Sequence, residues 1–202
     1  MSKKHPKITN EDMEKRIVRF DDLKSRGISL MFIDSILPGH QRINYAVIGD
    51  TASENPDYNP IITDPHGFQI GMVKAPPGNG PAYHTHDYIE SFIPLSGKWR
   101  FYWGNEEDKI EGEAIIEEWD LISLPPGLYR GLENVSDEDA WLFAILEQHK
   151  VFEGKDPYWA EEVIKKAAEH GFDADEKGKM VPPDNFKELE KEIAEKLKMG
   201  EK

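Results

Sequence analysis

The sequence predicts an all-β-dominated fold, a sandwich or barrel of short strands with helices at both ends. Three observations lead there. Between residues 61 and 147 short apolar or alternating segments are separated by Gly/Pro turns, notably Pro76-Pro77-Gly78 and Pro125-Pro126-Gly127. Residues 98–104 (KWRFYWG) alternate Trp99, Phe101 and Trp103 against Lys98, Arg100 and Tyr102, the period of a strand with one apolar face. After Glu147 the pattern changes to helical spacing.

Taken in order, the chain opens with a largely polar stretch, residues 1–10. Thr9 and Asp12 have the spacing to cap a short helix running through Arg16. Residues 17–20 read as extended, and Asp21 can cap another helical turn that Gly27 ends. The apolar run 28–37 (ISLMFIDSIL) has the length of a buried strand, although periodicity alone does not exclude a helix, and it stops at Pro38-Gly39. Residues 43–49 are rich in β-branched and aromatic side chains and read as a strand, residues 51–60 as a loop. Strands follow at 67–75 and 98–104, with a charged hairpin tip at 105–109. Residues 114–124 divide into two short strands around Glu117-Glu118, and 140–146 (AWLFAIL) is a near-continuous apolar strand.

Asp156-Pro157 has the form of a helix start, with Gly171 as its left-handed stop. Residues 173–181 suggest a turn or small hairpin. Beyond Pro182-Pro183, Asp184 can cap a last helix whose Phe186, Leu189, Ile193 and Leu197 form one stripe, with Glu and Lys on the other faces. The expected organisation is an N-terminal arm (1–27), a β-barrel (28–148) and a C-terminal helical extension (149–202) packing on the barrel or on a second subunit.

Composition bounds the function. At 202 residues there is material for one sizeable core, and 38% hydrophobic content with five Trp, seven Tyr and nine Phe supports a folded protein. With 39 acidic against 25 basic residues the formal charge is −14, which opposes binding to nucleic acid or to anionic membranes. No apolar run approaches the ~20 residues of a membrane-spanning helix. The N-terminus lacks the apolar core of a secretory signal, so a cytoplasmic location is expected. The absence of cysteine excludes disulfides, thiolate ligands and cysteine nucleophiles.

The chemistry concentrates in residues 78–97, GNGPAYHTHDYIESFIPLSG. His84 and His86 sit two apart and Glu90 follows four later. On a regular strand all three share a face, because alternate side chains point the same way. Two imidazoles and one carboxylate make the facial ligand set that suits Fe(II) and leaves coordination positions open.

The same stretch resembles the first motif of the cupin superfamily, with Gly78, His84, His86, Glu90 and Gly97 at every fixed position. Residues 119–134 resemble the second motif through Pro125, Gly127 and Asn134. Trp119 stands where the family has glycine, and Arg130 where it has its third metal histidine. The resemblance implies a jelly-roll barrel, a single cupin unit, that holds a divalent metal, Fe(II) first and Mn, Ni or Zn as alternatives, on His84, His86 and Glu90. It also implies a small-molecule substrate and a homodimer, for which 28–37 and the terminal stripe are the candidate apolar segments. The leading activity is that of a dioxygenase-type oxidoreductase acting on an oxygen-rich anion. A metal-assisted isomerase or lyase, or a non-catalytic small-molecule or sugar binder, is the alternative. Arg130 has three readings: it pairs with Glu90 in place of the metal, it leaves the metal alone and holds a substrate anion, or it faces solvent and bonds the acidic surface. The second is the expectation, with Tyr129 as a further inward candidate.

Overall fold

The computed structural model describes residues 7–23, 25–49, 53–63, 66–147, 157–175 and 179–197. Its centre is a jelly-roll barrel made of two five-stranded antiparallel sheets. One has the order β1 (Ile43–Ile48), β2 (Phe68–Ala75), β9 (Ala140–Glu147), β4 (Glu90–Pro94), β7 (Ile122–Leu124). The other runs β10 (Tyr158–Trp159), β3 (His84–Thr85), β8 (Tyr129–Asn134), β5 (Lys98–Gly104), β6 (Gly112–Glu117). The fold class and the cupin-type architecture are therefore those expected from the sequence.

The alternation of β5 is explained by its position. Trp99 and Phe101 are fully buried between the sheets and meet Phe92, Leu124, Leu132 and Leu142, while Lys98 faces solvent. Each sheet thus contributes alternate side chains to one apolar layer. Gly78 and Gly97 of the first motif both have positive φ (71° and 72°), which a side chain would strain.

The flanking elements correct several expectations. Residues 28–37 are not a strand: Ile28 makes one bridge to Asn44, and Phe32–Ser35 form a single 3-10 turn. Asp34 explains the change. Its carboxylate accepts from Met31 N at 2.9 Å and Asn44 Nδ2 at 3.0 Å, tying the backbone back on itself. The apolar residues of this run, Met31, Ile33 and Leu37, are consumed inside the chain against Trp159, Val163 and Phe172. The helix expected from Asp156-Pro157 begins later. Tyr158 and Trp159 first pair with β3, and α3 spans Glu161–Glu169 with Ala160 as N-cap; Asp156 lies outside the described residues. Gly171 does stop it, at φ 88°.

At the chain's two ends, α1 (Asn10–Glu14) has the Thr9–Asp12 capping box, and α2 (Phe20–Leu23) is the short turn before Gly27, with Asp21 inside it rather than capping it. The hairpin β11 (Asp173–Ala174) and β12 (Met180–Val181) precedes α4 (Phe186–Lys196), whose N-cap is Asn185 rather than Asp184. The α4 stripe packs within the chain, Phe186 edge-on to Phe32 at 4.9 Å and Ile193 and Leu197 beside Leu23 and Tyr45. No helix of the described residues is long and apolar enough to cross a membrane.

Trp119 completes a turn that favours glycine. Asp120 N donates to Glu117 O at 3.0 Å, and Trp119, third in that turn, sits at φ 69° with its ring 73% exposed. Left-handed backbone costs a residue with a Cβ roughly 1–2 kcal/mol. Trp119→Gly is therefore expected to stabilise the protein by about 1 kcal/mol in urea unfolding. A loss of stability would show that the ring contributes packing that outweighs the strain.

Glu54 clamps three segments. Its carboxylate accepts from Phe32 N at 3.1 Å and Trp159 Nε1 at 3.2 Å, and burial nevertheless pushes its pKa up from 4.5 to about 7. A carboxyl whose folded pKa exceeds its unfolded one holds its proton more tightly when folded. Its stabilising contribution is complete below about pH 4.5 and is lost as pH rises through about 7. Glu54→Gln should hence match the wild type near pH 4 and exceed it at pH 8, by on the order of 3 kcal/mol at most. Urea midpoints across that range measure the gap, and a gap independent of pH would refute the assignment.

Candidate metal centre

The strand does not stay regular between His86 and Glu90. β3 lies in one sheet and β4 in the other, so residues 87–89 carry the chain across the barrel. The crossing is held by Gly127 N, from the second motif, which donates to His86 O at 2.8 Å. Glu90 consequently reaches the site from the sheet opposite the histidines and not from one shared strand face. The three side chains still converge: His84, His86 and Glu90 are all buried, with ligand atoms within 4.8 Å of one another.

The imidazoles are arranged as a ligand pair. Their Nε2 atoms lie 3.0 Å apart. Two nitrogens each about 2.1 Å from one ion and at right angles to each other would be about 3.0 Å apart. His84 Nδ1 donates to Ala82 O at 2.6 Å, which leaves the lone pair on Nε2, facing the site. The rings are fixed by aromatic neighbours, Tyr88 stacked on His86 at 4.5 Å and Trp159 tilted against His84 at 5.6 Å. Burial holds both imidazoles well below their ordinary pKa; His86 and Arg130 add to this at His84, and Arg130 and Arg42 at His86. Both are therefore neutral at pH 7, the form that ligates a metal. The donor set fits a divalent cation: two neutral imidazoles whose Nε2 atoms converge and one carboxylate.

Arg130 is opposite His84 across the β3–β8 ladder, so its Cβ starts on the expected side. The side chain then turns to Glu90. Arg130 Nε donates to Glu90 Oε2 at 3.3 Å and Nη1 to Leu128 O at 2.9 Å, with the whole residue fully buried. It does not line the cavity that the triad faces. Tyr129, its neighbour on β8, points the other way and stacks on Tyr83 at 5.6 Å, away from the triad.

That cavity offers about 60 Å3 for the centres of water-sized molecules. That is room for a small molecule rather than for a single water. Beside the triad it is lined by Arg42, Asn44, Tyr58 and Gln69, and by the apolar Met72, Val73, Phe92, Ala144 and Leu146. Sequence reasoning missed Arg42 and Gln69. A signal existed in the alternation of Arg42, Asn44 and Ala46 with Ile43, Tyr45 and Val47. The apolar set packs outward under α2 and α4, which leaves the polar set facing in.

No family model matches the chain, and no curated protein matches it in sequence. Solved structures do. A putative sugar phosphate isomerase from Acidithiobacillus ferrooxidans superposes with a TM-score of 0.50 at 18% identity, over 68% of this chain and 78% of that one. The capsular polysaccharide assembling protein CapF from Staphylococcus aureus gives 0.45 at 18%, over 61% of this chain and 32% of CapF. The cupin domain of Schizosaccharomyces pombe Cnp3 gives 0.37 at 18%, over 55% and 63%. At such identities the likeness is one of fold.

Two substitutions test the centre. His86→Ala removes a candidate ligand just past β3, where the packing comes from other residues, so metal affinity should fall by more than about 100-fold with the fold retained. Arg130→His should tighten metal by adding an imidazole and removing a buried cation. Equilibrium metal titration and near-UV circular dichroism check both. If the wild type takes up none of Fe(II), Mn(II), Ni(II) or Zn(II) under anaerobic loading, the Arg130–Glu90 pair alone accounts for the buried charge.

Proposed function

We propose that the chain is a metal-dependent cupin enzyme acting on a small oxygen-rich anion, with dioxygenase-type oxidation as its reaction. The observation that carries this is the convergence of two neutral imidazoles and a carboxylate at one end of a small, largely apolar cavity. Bound on His84, His86 and Glu90, a divalent ion would supply Lewis acidity with coordination positions left over, and as Fe(II) also redox chemistry towards dioxygen.

The chain's own groups divide the remaining work. Ala82 O, Tyr88 and Trp159 fix the two rings, so little reorganisation is needed at the site. Arg130 holds Glu90 from behind and offsets its charge, which lets the carboxylate stay ionised inside the barrel. The apolar walls keep competing water from a bound substrate. Burial also raises the pKa of Tyr58, so its hydroxyl remains a protonated donor in the cavity.

Oxygen uptake by the Fe(II)-loaded protein over a panel of small enolisable carboxylic acids tests the reading, with substrate loss followed by NMR in parallel anaerobic samples. The expected result is oxygen consumption matched to substrate loss for at least one acid. Substrate loss without oxygen would instead place the reaction among isomerases and lyases. Tight binding with no conversion in either sample would make the chain a binding protein.

A further inference from the structure

Arg42 is buried to 4% exposure and lines the cavity, yet two of its three guanidinium nitrogens, Nε and Nη1, have no hydrogen-bond partner among the described residues. The third, Nη2, lies 3.0 Å from Asp34 Oδ1. Gln69 is 1% exposed, lines the same cavity, and its Nε2 also lacks an acceptor. Buried donors without acceptors cost about 1–3 kcal/mol each, more when charged. Two such side chains facing one cavity mark a place where a ligand supplies the acceptors.

We infer that Arg42 and Gln69 form the carboxylate-binding pole of the cavity, and that its ligand is a short-chain carboxylate with an apolar body. Three features narrow the class. The donors are N–H groups only, which match an acceptor-only anion. Farther along the same sheet, Met72, Val73, Phe92, Ala144 and Leu146 line the cavity and offer nothing polar from their side chains. The space beside these residues, about 60 Å3 for the centres of water-sized molecules, accommodates a short-chain acid. The role expected of Arg130 at the sequence level, a cation that receives the substrate's anion, thus belongs to a residue from the edge of β1. The carboxylate pole is a property of the cavity itself; only its catalytic meaning rests on the proposed metal chemistry.

The test is an NMR titration of the full chain with propionate and with propionamide, in chelator-treated and Zn(II)-loaded samples, alongside Zn(II) affinity. Wild type should bind propionate with and without metal, and propionamide at least about 10-fold more weakly, because a charge-assisted pair with Arg42 is lost. Arg42→Lys keeps the charge but loses donors, and should weaken propionate by about 10-fold. Gln69→Met removes the other donor at similar volume and should weaken it by about 3-fold. Zn(II) affinity should stay within about 3-fold in both variants, since neither residue is a ligand. Gln69→Met keeps the test open if Arg42→Lys does not fold. Equal binding of acid and amide, unchanged propionate affinity in the folded variants, or no propionate binding by wild type would each overturn the inference. Propionate binding without uptake of any divalent ion would leave it standing while the proposed function fell.

Discussion

Glu90 and Arg130 hold each other charged inside a barrel where neither would be tolerated alone. They come from opposite sheets, Glu90 from β4 and Arg130 from β8, so the pair spans the interior as well as neutralising it. Removing one partner of such a buried pair typically costs about 3–5 kcal/mol, because the other is left uncompensated. The position of Glu90, and so the whole triad, depends on this contact. The bond from Gly127 N to His86 O fixes the other half, since it sets where the chain leaves the first sheet. The two sequence motifs meet physically at these two contacts.

Much of the barrel could be read from the chain because its signals were local. Period-two alternation in β5, Pro-Pro-Gly turns and the charged tip between β5 and β6 each specify structure within a few residues. The triad was legible for the same reason, although its geometry was not: the spacing suggested one strand face, and the fold delivers Glu90 across the barrel instead. What failed depended on side-chain contacts that composition and periodicity do not report. The run 28–37 has strand composition, but a buried Asp34 bonded to Met31 and Asn44 turns it into a single 3-10 turn. The start at Asp156-Pro157 has helix chemistry, yet Tyr158 and Trp159 find an open edge on β3 first.

Arg42 shows the limit most clearly. Beside a strand with apolar residues at 43, 45 and 47, polar residues at 42 and 44 read naturally as the solvent face. The helices α2 and α4 cover the apolar face, so the polar one is left to line the interior. Alternation reports that two faces differ and not which one is inside; that is decided by covering elements outside the strand, α4 among them more than a hundred residues away. The same covering explains why the two apolar segments singled out at the sequence level are not spare surface, since both are buried within the chain.

The charges around the cavity then follow a simple balance. Arg42 lies against Asp34 and Glu90 against Arg130, and the two histidines are neutral, so each ionisable group there sits beside an opposite partner. On the proposed reading, a dication adds two positive charges to a site with little water to screen them, and a bound carboxylate removes one. Metal and carboxylate would then favour each other, and linkage requires the effect to be equal in both directions. A histidine in place of Arg130 would leave Glu90 to offset the metal directly and would reduce that mutual dependence. On the same reading, arginine at this position would trade intrinsic metal affinity for a centre that is most stable when its anionic ligand is present.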